Sequence, residues 1–493
     1  MEAFKLNPEF SDLNKPEVFV NHIQAITKAK ALPHNQILKR LLKQFEPIDF
    51  EAIANPKNIE NFKLTNKHYL ILAVEHVLQV AENNRWGLCK NHDFIYLYNG
   101  TFWNELDKET FQKFVGEAAE KMGVSVFSAR YFQFREKLYK QFLGTSYLEP
   151  KSPLAGKVLI NLQNGTFEIS SEGTQLRPFN RADFLTYQLP FEYNPKAEAP
   201  IFKKYLNRVL PDKDCQKVLA EYLGFVFIKH GSNRLKEEKA LILYGTGANG
   251  KSVFFEVVSA LLGDENTSNY SLQSLTNDNG YFRAKLANKL VNYGSEINGK
   301  LESSIFKQLV SGEPVEARLP YGQPFTLKQY AKLIFNCNEL PKDVEHTNAY
   351  FRRFLIIPFE VTIPPEEQDK ELHIKIIEKE LSGVFNWVLD GLNRLLKQKR
   401  FTHCEAVTKA VEQYKNQSDS VRLFIDENGY EKSPTEHRLI KELYIAYRTF
   451  CLEDGYKPVS KSNFIKRLSG FGVEVKRLNF GNVAYLSKDK IPF

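Results

Sequence analysis

The chain has 493 residues, 43% hydrophobic and 26% charged, with a formal net charge of +8. That length exceeds what one hydrophobic core supports and points to roughly three domains, and the composition is that of an ordinary soluble globular protein. No run approaches the ~18 apolar residues a membrane span needs, and Pro8 and acidic residues follow soon after Met1, unlike a secretory signal, so the expectation is a cytoplasmic protein with no membrane partner.

In chain order, Phe19, Ile23 and Ile26, then Ile37, Leu41, Leu42 and Phe45, recur at helical spacing. His68 to Ala81 reads as a helix, and Phe94 to Trp103 as a hairpin about the turn dipeptide Asn99-Gly100. Pro150 to Pro153 reads as a linker. Val158 to Ile169, turning at Asn164-Gly165, is a second short β unit. Pro190 to Pro200 is a proline-punctuated connection before a helical stretch from Ile201 to His230. Four short apolar runs follow: Ala240–Tyr244, Leu290–Tyr293, Lys332–Phe335 and Phe354–Ile357. Alternating with helical segments, they argue for an α/β fold with a buried parallel sheet. Beyond about Asp419 the pattern changes to a small unit. Pro434 to Cys451 is amphipathic, Ser460 caps a helix over Lys461–Leu468, and Val473–Leu478 and Val483–Leu486 form a hairpin about Asn479 to Asn482.

The five cysteines (Cys89, Cys215, Cys337, Cys404, Cys451) are dispersed with no Cys-x-x-Cys pair, which argues against a zinc ribbon and for reduced thiols. Charge is uneven. Tyr456 to Phe493 holds eight basic residues against Glu474 and Asp489, a net +6 of the chain's +8, as suits a polyanion partner or a solvated basic face.

The sharpest motif is Gly245-Thr246-Gly247-Ala248-Asn249-Gly250-Lys251-Ser252, between a predicted strand and a helix over Val253–Leu262. Glycines there let backbone N–H groups converge on phosphate oxygens; Lys251 would meet the β- and γ-phosphates and Ser252 would ligate Mg²⁺, so ATP and Mg²⁺ are the expected cofactors. Glu296, ending a strand about 45 residues after Lys251, would orient the attacking water and hold Mg²⁺ through a bound water. Ser295 stands before it where a second carboxylate would give direct metal ligation. Asn338, at the exit of a third strand, would sense the γ-phosphate. Arg352 and Arg353, just before a buried strand, read either as an arginine finger for a neighbouring subunit or as intramolecular salt bridges.

Together these residues resemble the superfamily 3 helicases, AAA+ ring motors of viruses, phages and mobile elements. The closest likeness is to the helicase half of the phage and plasmid primase–helicases, from about Leu154 to the C-terminus. The resemblance implies an α-rich oligomerisation collar (151–232), an AAA+ P-loop ATPase core (233–400) and a C-terminal winged-helix-like DNA-binding domain (401–493); before them the residue pattern gives an N-terminal accessory domain, mostly helical with a small β unit (1–150). It also implies a homohexamer on single-stranded or forked DNA in a bacterial host, with a primase or other replication proteins as further partners. In that family the Lys307–Arg318 region and the following Leu319–Phe325 carry a DNA-gripping hairpin, which makes Lys307, Arg318, Tyr321 and Lys328 candidate DNA contacts. In the tail, Lys461, Lys466 and Arg467 would face phosphates or a groove, with Lys476 and Arg477 on the wing; a protein-docking module is the alternative. The region before Pro150 offers Asp93 and Asp107 without an Asp-x-Asp pair, so no primer synthesis is expected, a cryptic primase remaining one alternative. An ATP-gated initiator or loader is another. A small-molecule kinase fits less well, since the loop follows 244 residues of other chain.

Overall fold

The computed structural model describes residues 32–57, 59–91, 94–146, 156–232, 235–295, 297, 302–320, 322–341 and 344–488. The chain divides into two compact units at Asn194/Pro195, inside the proline-punctuated connection. The 151–232 stretch is thereby shared: its strands belong to the first unit and its helices to the second.

In the first unit, Phe19, Ile23, Ile26 and the Pro150–Pro153 linker lie outside the described residues, whereas Ile37 and Leu41 are fully buried on the helix His34–Leu42. The helix expected over 68–81 spans Asn66–Asn83 and packs with Lys108–Lys121 and Phe132–Thr145 around Phe111 and Phe142, whose rings lie 4.5 Å apart. Asp107 caps Lys108–Lys121, accepting from Thr110 N–H at 2.9 Å. The expected hairpin is β2 (Phe94–Tyr98) and β3 (Trp103–Leu106), and β1 (Leu88–Asn91) adds a third antiparallel strand. β4 (Val158–Leu162) and β5 (Gly165–Ile169) form the second β unit, extended by β6 (Thr174–Arg177).

In the second unit the helical stretch after Ile201 is two helices, Pro200–Val209 and Lys213–Phe225, broken where Pro211 lacks an N–H and Asp212 caps the second. Both pack on a 27-residue helix, Leu372–Gln398. At Gly391 a Cβ would come within 2.3 Å of the Ala220 carbonyl carbon, so the absence of a side chain sets the helix separation. Five parallel strands make the central sheet: β7 (Ala240–Tyr244), β8 (Thr267–Ser268), β9 (Val291–Gly294), β12 (Lys332–Cys337) and β13 (Phe354–Pro358), ordered β13-β7-β12-β9-β8. Their register (Phe354 opposite Ala240, Ile334 opposite Leu241 and Tyr293) brings all the C-terminal strand ends to one edge. Between β9 and β12, β10 (Val315–Arg318) and β11 (Pro324–Leu327) form the separate antiparallel hairpin expected there.

The C-terminal part runs helix Ser420–Glu427, β15 (Arg438–Leu439), helix Ile440–Glu453, helix Lys461–Gly470, β16 (Val475–Leu478), β17 (Gly481–Ala484), around buried Phe424, Tyr447 and Phe464. β14 (Tyr430–Lys432) pairs with a final strand, β18 (Leu486–Lys488), and β15 and β16 flank β17. The amphipathic segment 434–451 is therefore helical only from Ile440, with Arg438 and Leu439 drawn into pairing with β17. The β16–β17 turn is tighter than expected: Leu478 pairs with Gly481, leaving only Asn479 and Phe480 in it.

Candidate functional site

β7 leaves the sheet at Tyr244, and the chain turns through Gly245–Gly250 into the helix Lys251–Leu262. At Gly250 φ is 86°, and a Cβ would also lie 2.7 Å from Val209 Cγ1, so conformation and space both require glycine. Neighbouring segments tether the loop. Gly245 N–H donates to the Cys337 carbonyl at the end of β12 (3.1 Å), and Ile363 N–H donates to the Ala248 carbonyl (2.8 Å). The Tyr205 hydroxyl donates to the Gly250 carbonyl (2.8 Å), and the Asn249 amide to the Phe359 carbonyl (3.0 Å).

Lys251 is 6% exposed; its ammonium donates to the Gly245 carbonyl at 2.6 Å and Asn249 Oδ1 at 3.0 Å, and burial lowers its pKa. Loop N–H groups, a helix N-terminus and a buried cation on one rigid turn make an anion-receptive site of the kind that holds phosphate. Ser252 stands exposed at the second residue of the helix, and Thr246 is exposed at the start of the loop, directly after Gly245.

Because β12 lies between β7 and β9, its exit stands beside both. Asn338 is exposed just past that exit; Asn336, within β12, accepts from the Tyr293 hydroxyl at 3.0 Å. β9 ends at Gly294, exposed Ser295 follows, and Glu296 lies outside the described residues.

The two arginines sit at the opposite, N-terminal edge of the sheet, before β13. Arg353 is buried: it donates to the Ala349 carbonyl and to Ser311 Oγ (2.9 Å) and pairs with Glu238 (3.2 Å). Arg352 reaches the same carboxylate at 3.1 Å, but its side chain is 64% exposed.

Among the candidate DNA contacts, Lys307 is already paired with Glu345 at 2.7 Å, and that hydrogen bond holds the Glu345 carboxyl below its usual range. Arg318 ends β10, lying over the Tyr281 ring at 5.4 Å and donating to its hydroxyl at 3.0 Å. Lys328 is exposed just after β11, and Tyr321 lies outside the described residues, as does Asp93. Ser460 caps the helix Lys461–Gly470 as expected, accepting from Asn463 N–H. On it Lys461 and Lys466 are exposed, whereas Arg467 donates to buried Asp419 at 3.0 Å. On β16, Arg477 is exposed and Lys476 pairs with Glu474 at 2.8 Å.

Sequence reasoning missed Tyr205 and Glu238, whose roles come from tertiary contacts. It also missed the meeting of Cys215 and Cys404, buried thiols 189 positions apart whose sulfurs lie 3.2 Å from each other.

Fold and site together define a mixed α/β protein in which a five-stranded parallel sheet presents a glycine-rich, anion-receptive loop at one edge. Residues 78–211 match a family model described as D5 N terminal like, and residues 243–353 match a family of unknown function. A protein of Acanthamoeba polyphaga mimivirus, provisionally named a helicase, is 25% identical over 217 residues, 41% of this chain and 22% of its own length. Another of Invertebrate iridescent virus 3, named in the same way, is 23% identical over 332 residues, 59% of this chain and 35% of its own. The chain thus spans 22% to 35% of the length of these curated relatives. Apo structures of the NrS-1 C-terminal region superpose with TM-scores of 0.46 and 0.47 at 15% and 14% identity, covering 83% and 85% of this chain and 98% and 99% of theirs.

Proposed function

We propose that this chain is an ATP-driven DNA helicase of viral or phage replication, with an AAA+ P-loop core and a C-terminal winged helix. The observation that carries the reading is the buried Lys251 on a tethered glycine-rich loop, at the edge where three parallel strands end together. Ligands of parallel α/β sheets bind at that edge. The helicase-named viral relatives supply the class of work.

In this reading the loop from Gly245 to Gly250 cradles the triphosphate of ATP and Lys251 counters the charge on its outer phosphates. Mg²⁺ arriving with the nucleotide would neutralise charge developing on the transferred phosphoryl group, with the Ser252 hydroxyl as its protein ligand and Glu296 acting through a bound water. Glu296 orients the lytic water and Asn338 contacts it or the γ-phosphate from the exit of β12. Arg352 is the finger. It stands a strand's length from its own loop, about 16 Å for five residues, with a largely exposed side chain, so it serves a neighbouring subunit of a homohexameric ring. Arg353 holds that segment in place. Arg318 and Lys328 flank the β10–β11 turn as the DNA grip, and the order of helices and strands from Ser420 to Ala484 supports a winged helix that presents Lys461 and Lys466 to the duplex and carries Arg477 on its wing.

The test is hydrolysis of ATP by the purified chain with and without single-stranded DNA, beside displacement of a labelled strand from a fork. Hydrolysis stimulated by DNA, displacement, and loss of both in Lys251→Ala support the reading. Hydrolysis that Lys251→Ala leaves intact would refute it. Stimulated hydrolysis with no displacement would reassign the chain as an ATP-gated loader.

A further inference from the structure

The wing carries a large apolar side chain that stands outside the core of its own module. Two-residue hairpin turns favour glycine, asparagine or aspartate, which suit the backbone. Here the turn is Asn479-Phe480, and Phe480 projects with 63% of its surface exposed. A phenylalanine at that position contributes nothing to the turn and costs apolar exposure.

Nor does it stand alone. The exposed His437 ring lies nearly parallel to Phe480, 29° between planes and 5.9 Å between centroids; Tyr485 lies 5.8 Å beyond His437. The Lys476 ammonium sits 5.3 Å over Tyr485. Arg477 and Arg438 are exposed on the neighbouring strands β16 and β15; Glu436 precedes His437, and Glu474 is held by Lys476. The result is a short staircase of rings, open at its Phe480 end and with the Lys476 ammonium at its Tyr485 end, against the segment that holds +6 of the chain's +8.

We propose that this staircase is a stacking platform for unpaired nucleobases, so that the wing grips single-stranded DNA at the junction of a fork rather than the interior of a duplex. The inference rests on the reading of the C-terminal module as DNA-binding and adds which DNA the wing takes. Aromatic faces flanked by cations match the two parts of an unpaired nucleotide: the ring meets the base and the cations meet the phosphate. A base inside a duplex has no free face to offer, whereas the first unpaired base beyond a junction does.

The experiment measures affinity of the full chain for a labelled single strand, a blunt duplex and a fork, with 2-aminopurine as the first unpaired base of the fork. Phe480→Ala should weaken binding to single strand and fork about tenfold, change duplex binding less than twofold, and abolish the fluorescence quenching of 2-aminopurine. Phe480→Trp should retain all three. Unchanged binding and quenching in Phe480→Ala, or an equal loss on all three DNAs, would overturn the platform. Its failure is separable from failure of the module: Lys461→Glu/Lys466→Glu leaving duplex affinity intact would sink the DNA-binding reading itself. A platform that instead docks a protein would leave every DNA affinity of Phe480→Ala at the wild-type value.

Discussion

Arg352 and Arg353 are neighbours with opposite surroundings, and their substitutions should separate accordingly. Arg353→Ala removes a buried guanidinium that joins Glu238, Ser311 and the Ala349 carbonyl. Breaking such a pair costs about 3–5 kcal/mol, so a fall in Tm of several degrees is expected by thermal melting. Arg352→Ala, at a side chain 64% exposed, should leave Tm within a degree or two yet cut hydrolysis by on the order of 10³-fold if it is the finger. Equal losses of stability in the two variants would erase the distinction. Lys332 makes a second test. Its ammonium, over the Phe225 ring, donates to His230 Nδ1 at 3.0 Å, while His230 Nε2 must be the protonated nitrogen because it faces the Tyr330 carbonyl at 3.1 Å. Burial pushes Lys332 down to about 7, and burial with the Lys332 charge pushes His230 down to about 3. Between those values and the ordinary 10.5 and 6.5 the folded chain binds fewer protons than the unfolded one, so stability rises with pH across both windows. The penalty on Lys332 is full below pH 7 and relieved toward 10.5, by at most about 1.4 kcal/mol per pH unit. The urea midpoint of the second unit should therefore rise less between pH 7 and pH 9 in Lys332→Met than in the wild type; identical slopes would mean that Lys332 is not the group responsible.

The helix Leu372–Gln398 shows how an element can reverse a propensity rule. Alanine normally favours a helix over glycine by about 1 kcal/mol. At Gly391, however, a Cβ would press on the Ala220 backbone at 2.3 Å, a neighbour that cannot swing away. Gly391→Ala should therefore lower Tm, reflecting a cost of about 1–3 kcal/mol, and an increase would show that the two helices have room to separate. Elements of this kind divide what a sequence reveals from what it hides. The long strands β7, β9, β12 and β13 were legible within a residue or two because each is an apolar run buried on both faces. The helical periodicity from Ile201 to His230 runs straight through Pro211-Asp212, although the missing N–H and the capping carboxylate mark a helix boundary there. β8, β14 and β18 are two or three residues long and exist only through their partners, so no periodicity could have marked them. The glycine-rich loop was legible because its signature is local, eight consecutive residues from Gly245 to Ser252. Tyr205 and Glu238 were not, since each acts across more than forty residues of intervening chain on a surface formed only by folding.

At the scale of the whole molecule, the loop and the exposed arginine cannot meet within one sheet. Gly245 follows the C-terminal end of β7, whereas Arg352 precedes β13 at the other end, with Phe354 opposite Ala240 and Pro358 opposite Tyr244. If hydrolysis needs both, it needs two copies, and the rate per subunit should rise with protein concentration until the ring is complete. A mixing experiment tests this directly. Lys251→Ala and Arg352→Ala chains are each expected to be inactive alone, the first for want of a working loop and the second for want of a finger. In an equimolar mixture, an interface works when an Arg352→Ala subunit supplies the loop and a Lys251→Ala subunit supplies the finger. Random assembly makes that about a quarter of interfaces, and activity should return to about that share of wild type. A mixture as inactive as its components, under conditions where mass measurements show that the subunits co-assemble, would mean that the arginine acts within its own chain or not at all. Recovery would tie the two edges of one sheet to the two sides of a single shared site.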